Sequence, residues 1–123
     1  MVLNDFFTIK DLKASEGKIQ ATLHINPVHP IFEGHFPDQP VVPGVTMMLM
    51  IRGLLETQLQ ALQLLHADNV KFLAMINPRE TTNVLADISY TQTPEGNWKV
   101  TAKLFNDATV YFKYAGMFVQ KAV

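Results

Sequence analysis

Residues 35–49 read HFPDQPVVPGVTMML, directly after Glu33-Gly34. Pro37, Pro40 and Pro43 fall close together, and Gly44 follows the last of them. Each proline fixes its own φ and biases the residue before it toward extended geometry, so this is a stiff loop ending where a helix begins. From Gly44 onward the apolar spacing becomes helical: Met47, Met48, Met50, Ile51, Leu54, Leu55, Leu59, Leu62 and Leu65 cover at least half a circumference. The pattern predicts a helix over 44–65, roughly 30 Å long at ~1.5 Å per residue. Its first half is apolar almost all round, as in a helix enclosed by other elements. Gln58, Gln60, Gln63 and His66 put the second half in water, and Arg52 and Glu56, four apart, are placed to pair.

Outward from this segment the chain reads as strand. Residues 18–26, KIQATLHIN, alternate with Ile19, Ala21, Leu23 and Ile25 on one face. Residues 6–12 form the hairpin partner, with Ser15-Glu16-Gly17 as the turn. After the helix, 70–76 is a short apolar strand ending at Asn77-Pro78, and 84–91 alternates up to a turn at 94–97. Trp98, Val100, Ala102 and Leu104 mark the next strand, and 109–119 the last. One helix among so many antiparallel strands must be covered, which predicts an α+β domain over 1–123 with the sheet wrapped around one long central helix. Such a sheet keeps an open edge, and edge-to-edge pairing of two copies would remove it.

Composition narrows the function. With 48% hydrophobic and 17% charged residues, the chain has few charges for its apolar content, which points to surface buried against another subunit. A net charge of −1 gives no reason to expect nucleic acid or an anionic membrane as partner. The absence of cysteine excludes disulfides, a cysteine nucleophile and thiolate metal sites, and suits a reducing cytoplasm. No signal peptide is expected, and the greasy run 41–55 is shorter than the ~20 residues of a membrane span. The spacing of His24, His29 and His35 matches no zinc pattern, so neither a metal nor a cofactor is expected.

A Pro-Gly step at a helix start leaves backbone N–H groups without intrahelical partners, with the positive end of the helix dipole behind them. Gly44 has no side chain, so an oxygen can approach its amide closely, as in an oxyanion hole for a thioester carbonyl. His35, in the loop leading there, is placed to act as general base on a proton beside that carbonyl. The same features also serve a plain helix start and a structural loop histidine.

The stretch GHFPDQPVVPGV at 34–45 resembles the signature of β-hydroxyacyl-acyl-carrier-protein dehydratases, the hot-dog-fold enzymes of fatty-acid synthesis. Their pattern G-H-F-P-x-x-P-x-x-P-G-V is matched at every defined position. Val70-Lys71-Phe72-Leu73 with Asn77-Pro78, and the C-terminal hairpin, are similar too. The resemblance implies a hot-dog fold, an obligate dimer and an acyl-carrier-protein or coenzyme A thioester as substrate, bound in a tunnel between subunits. It assigns the catalytic histidine to His35 and the oxyanion donor to Gly44, with Phe36, Val45, Met48 and Leu49 as candidate substrate-binding residues.

In those dehydratases a Glu or Asp on the first turns of the helix, supplied by the opposite subunit, is the second catalytic residue; here that position is Leu49. Leucine can neither protonate nor hydrogen-bond a departing hydroxyl. Glu56 lies ~10 Å further along the axis, Glu33 and Asp38 flank His35, and nothing in the sequence brings Tyr111 or Tyr114 to it. Three readings result: a dehydratase with a non-standard acid, an acyl-binding or heterodimer partner subunit, and a thioesterase relying on Asp38. Lys71 and Arg79 stand as scattered cations for an acidic carrier.

Overall fold

A computed structural model of the chain describes residues 6–32 and 41–121. Strands β1 (Phe7–Ser15) and β2 (Lys18–Ile25) form a hairpin, and a 3-10 turn, Pro30–Phe32, interrupts the segment expected to lack regular structure. Helix α1 (Gly44–Leu55) follows, then β3 (Leu62–Phe72), β4 (Asn83–Gln92), β5 (Trp98–Asn106) and β6 (Thr109–Gln120). The strands form one antiparallel sheet in the order β1-β2-β4-β5-β6-β3. At the β1–β2 turn Gly17 has φ +77°, where a residue with a Cβ is strained.

Period-two alternation decides which face meets the helix. Ile19, Leu23, Val84, Ile88, Val100, Leu104, Phe112 and Phe118 are all buried on one side of the sheet. Met47, Met50, Ile51, Leu54 and Leu55, at spacings of three and four on α1, join them in one core. The sheet thus wraps a single helix, the hot-dog arrangement that the resemblance implies.

The helix is shorter than its apolar period suggests. It stops at Leu55 and spans about 18 Å. Thr57 ends it: the Thr57 amide and hydroxyl both donate to the Leu54 carbonyl, at 3.1 and 2.6 Å, tightening the last turn. Glu56 then turns its carboxylate onto the Leu62 amide at 2.6 Å instead of pairing with Arg52. From Leu62 the chain joins the ladder offered by β6, so β3 runs 62–72, not 70–76, and His66 lies on a strand with its Nδ1 2.9 Å from Asp68. Two register shifts, between Leu64 and His66 and between Ala67 and Asn69, bend this edge strand.

Candidate active site

The site forms where the loop enters α1. Pro43 is the helix N-cap, with extended dihedrals (φ −62°, ψ 145°) and no side chain to cap the helix. Its carbonyl accepts the Thr46 amide (3.0 Å), the Met47 amide (3.4 Å) and the Thr46 hydroxyl (2.6 Å), which satisfies a fully buried polar side chain. The amides of Gly44 and Val45 have no acceptor among the described residues. Just upstream, the Val42 amide donates to the Ile76 carbonyl at 2.9 Å, tying the helix entry to the segment after β3.

Beside Gly44 lies a cavity of about 450 Å³ walled by Val41, Val42, Met47, Phe72, Leu73 and Met75. The Phe72 ring covers Gly44 so closely that a Cβ at that position would lie 2.7 Å from it. Phe72 in turn leans on Phe112, with ring centroids 5.2 Å apart. The absence of a side chain at Gly44 is therefore what lets ring and helix start share the space. The cavity walls are apolar and their outer parts are exposed: Phe72 57%, Leu73 51%, Met75 78%.

Of the residues assigned from sequence, His35 and Phe36, with Glu33 and Asp38, lie outside the described residues. Gly44 is the first residue of α1. Val45 is exposed, and Met48 and Leu49 are half-buried; none of the three lines the Gly44 cavity. With Arg52 they form the stripe of α1 at positions 45, 48, 49 and 52, opposite the buried stripe that packs on the sheet. Gly44 and Leu49 thus belong to different faces of one helix. Sequence reasoning passed over Phe72 and Met75 as cavity walls; the available signal was the apolar run 72–76, unbroken where a strand should have become polar.

Two of the other candidate acids, Glu56 and Tyr114, do not line this cavity. The Tyr114 hydroxyl is buried without a hydrogen-bond partner and leans along β6 toward Gly116, two positions beyond the Phe112 that meets Phe72. Burial, and secondarily the Asp68 carboxylate, push its pKa up to about 12. His29 is a structural residue: its Nδ1 accepts the Ile31 amide at 3.1 Å, and its ring meets Phe6 edge-on at 5.4 Å. Among the described residues no group of acidic or histidine side chains is placed to hold a metal, and no helix is long and apolar enough to cross a membrane.

Comparison with known proteins is consistent with this geometry. The 3-hydroxyacyl-(acyl-carrier-protein) dehydratase FabZ of Rickettsia canadensis is 28% identical over 102 residues, covering 76% of this chain and 71% of that one. The FabZ of Caulobacter sp. is 26% identical over 101 residues, covering 74% and 62%. Among solved structures, the dehydratase heterocomplex ApeI:P from Xenorhabdus doucetiae superimposes with a TM-score of 0.74 at 18% identity, covering 92% of this chain and 97% of that one. The family described as ApeI-like, ApeI dehydratase, matches residues 11–115. With the sheet wrapped on α1, the Pro-Gly helix start and this match along most of its length, the chain belongs to the ApeI-like dehydratase family.

Proposed function

We propose that this chain is a hydroxyacyl-thioester dehydratase subunit that uses His35 as general base and the Gly44 amide as oxyanion donor. The observation that carries the reading is the bare Gly44 at the first position of α1, its amide without an acceptor among the described residues, opening on an apolar cavity. A thioester carbonyl at that amide gains from the helix N-terminus as negative charge builds on its oxygen. His35 takes the α-proton, the electron pair forms the α,β double bond, and the β-hydroxyl leaves as water once it receives a proton. The product is a 2-enoyl thioester. The acyl chain, on a carrier protein or on coenzyme A, runs from the Gly44 cavity past Phe36 and, across the subunit interface, onto the α1 face that carries Val45, Met48 and Leu49, each subunit being a single cytoplasmic domain.

Leu49 selects the assembly. A site in which the acid comes from the opposite subunit is incomplete when both subunits carry leucine there, and loss of a general acid costs ~10²–10⁴ in rate. The second reading therefore has this chain contribute His35 and Gly44 while a homologue that retains the carboxylate supplies the acid. Two observations favour it. Leu49 lies on the uncovered stripe of α1, away from its own Gly44 cavity, and the structurally similar ApeI is described as part of a heterocomplex. The exposed apolar edge of β3, Leu64 and Leu65 with Phe72, is where a second subunit would pair, whether a copy or a homologue.

The test is interconversion of 3-hydroxyacyl and 2-enoyl thioesters by the purified chain, by its Leu49→Glu variant, and by the chain mixed with a carboxylate-bearing homologue that has lost its own histidine. The chain alone should be slow. Either route to the carboxylate should raise the rate by ~10²–10⁴, and His35→Ala should abolish it. A chain that neither turns over nor binds the thioester in any of these combinations would overturn the proposal.

A further inference from the structure

The solvent face of the sheet, on the side away from α1, carries a charge distribution unlike that of the whole chain. Of eight lysines in a chain of net charge −1, Lys13, Lys18, Lys71, Lys99, Lys103 and Lys113 occupy outward positions of the strands, against Asp11, Asp87 and, paired with the outward His66, Asp68. The registers sharpen this. Lys71 on β3 lies opposite Lys113 on β6, and Lys113 lies opposite Lys103 on β5. Three like charges thus stand side by side on neighbouring strands about 5 Å apart. Like charges directly opposite destabilise a sheet.

The fold does little to relieve the repulsion. Asp87 lies opposite Lys103, yet none of the three lysines forms an ion pair among the described residues. The Lys103 ammonium rests over the Phe105 ring, 4.8 Å from its centroid, two residues along its own strand. Around the ladder the surface dips into a concavity of about 420 Å³, which Asn69, Ser89, Thr101 and the Asp87 carboxylate also line.

We infer that this face is a docking surface for a protein partner that presents an acidic face. A second copy of the chain packed by this same face is excluded as the occupant, because the ladder would meet itself with the same sign. A phosphate polymer fits less well. Neither arginine of the chain is on the face, since Arg52 is on α1 and Arg79 is between β3 and β4, so no bidentate phosphate fork is present. Phe105, the one aromatic ring on the described part of the face, lies under Lys103 and offers no stacking platform for bases. Single-point ammonium groups spread across strands match carboxylates spread across a protein surface, and attraction of this kind steers association.

The experiment uses poly-L-glutamate as probe, binding the full chain at low salt. One variant is Lys71→Gln/Lys103→Gln/Lys113→Gln; the control, with the same change in net charge, is Lys10→Gln/Arg79→Gln/Lys121→Gln. The ladder variant should bind at least about tenfold more weakly, and the control should stay within about threefold of wild type. Equal losses in both variants, or no binding by wild type, would overturn the inference. So would tighter binding of tripolyphosphate or single-stranded DNA than of polyglutamate at matched charge, since either identifies a phosphate ligand. A second readout is independent of any probe. Lys113→Gln should raise the melting temperature in about 10 mM salt and lose that advantage near 1 M, where the screening length falls to about 3 Å. If there is no rise at low salt, the ladder carries no strain, and its placement gives no reason to expect a partner.

Discussion

Gly116→Ala tests how closely β6 is built against the edge strand. Gly116 is buried, opposite Ala67 on β3 and Val100 on β5. A methyl there would lie 2.5 Å from the His66 carbonyl oxygen and 2.7 Å from Tyr114 Cζ, with the Tyr114 hydroxyl nearer still. Comfortable separations are about 3.5 Å, so roughly 1 Å must be found on two sides at once. One neighbour is backbone between the two bulges of β3, and the other is a ring buried beside Phe118. Overpacking of this kind costs ~1–3 kcal/mol, and the backbone partner puts it near the upper end. Replacing glycine within a strand returns ~0.5–1 kcal/mol. The net loss is about 2 kcal/mol, which for a chain of this size lowers the melting temperature by roughly 8 °C. Adding Tyr114→Phe removes the hydroxyl, the nearest of these contacts, while the ring carbon stays, and should recover at least ~0.5 kcal/mol of the loss, a coupling expected only of neighbours. Thermal unfolding of the four proteins in the cycle, followed by circular dichroism, measures both numbers. A Gly116→Ala variant as stable as wild type would mean that the residue faces open space and that the β3–β6 register is wrong.

Tyr114 also makes stability depend on pH. Its pKa is raised to about 12 in the folded chain, above the ordinary tyrosine value of 10.0, so its stabilising contribution is complete below pH 10 and is lost as pH rises through 12. Tyr114→Phe should flatten this alkaline slope in a pH-dependent melt; an unchanged slope would assign it to other groups. Glu56 is expected to matter through its bond to the Leu62 amide, not through a pair with Arg52. Glu56→Ala should cost about 1.5–3 kcal/mol by losing a charged acceptor, while Glu56→Gln, which keeps an oxygen, should cost less than half as much. Equal losses in chemical denaturation would show that packing of the side chain, not the hydrogen bond, is at stake.

What the sequence made legible follows from the range of the interactions involved. Alternation at 18–26, 84–91 and 98–104 is local and strong, and each of those strands is present. Pro43-Gly44 marks the start of α1 because a fixed φ followed by a bare Cα has a local consequence. The end of α1 was not legible. Leu54, Leu55, Leu59 and Leu62 continue a helical period, and the glutamines among them are good helix formers. Leu62 is nonetheless buried as the first residue of a strand, because β6, more than forty residues later, offers it a ladder.

The same long-range choice explains what else was hidden. Lys71 read as one of two scattered cations because its neighbours Lys113 and Lys103 are adjacent only after β3, β6 and β5 have paired. Phe72 and Met75 read as strand core, whereas pairing with β6 carries them to the sheet edge, where they wall the cavity at Gly44. Ending the helix at Leu55 therefore has two effects on the site. It frees enough chain for an eleven-residue edge strand, and it brings the end of that strand against the helix start. An edge that long and apolar invites another strand, so the cavity at Gly44 and the surface most in need of cover are contiguous. That contiguity gives physical grounds for placing the missing carboxylate on whichever subunit pairs with β3.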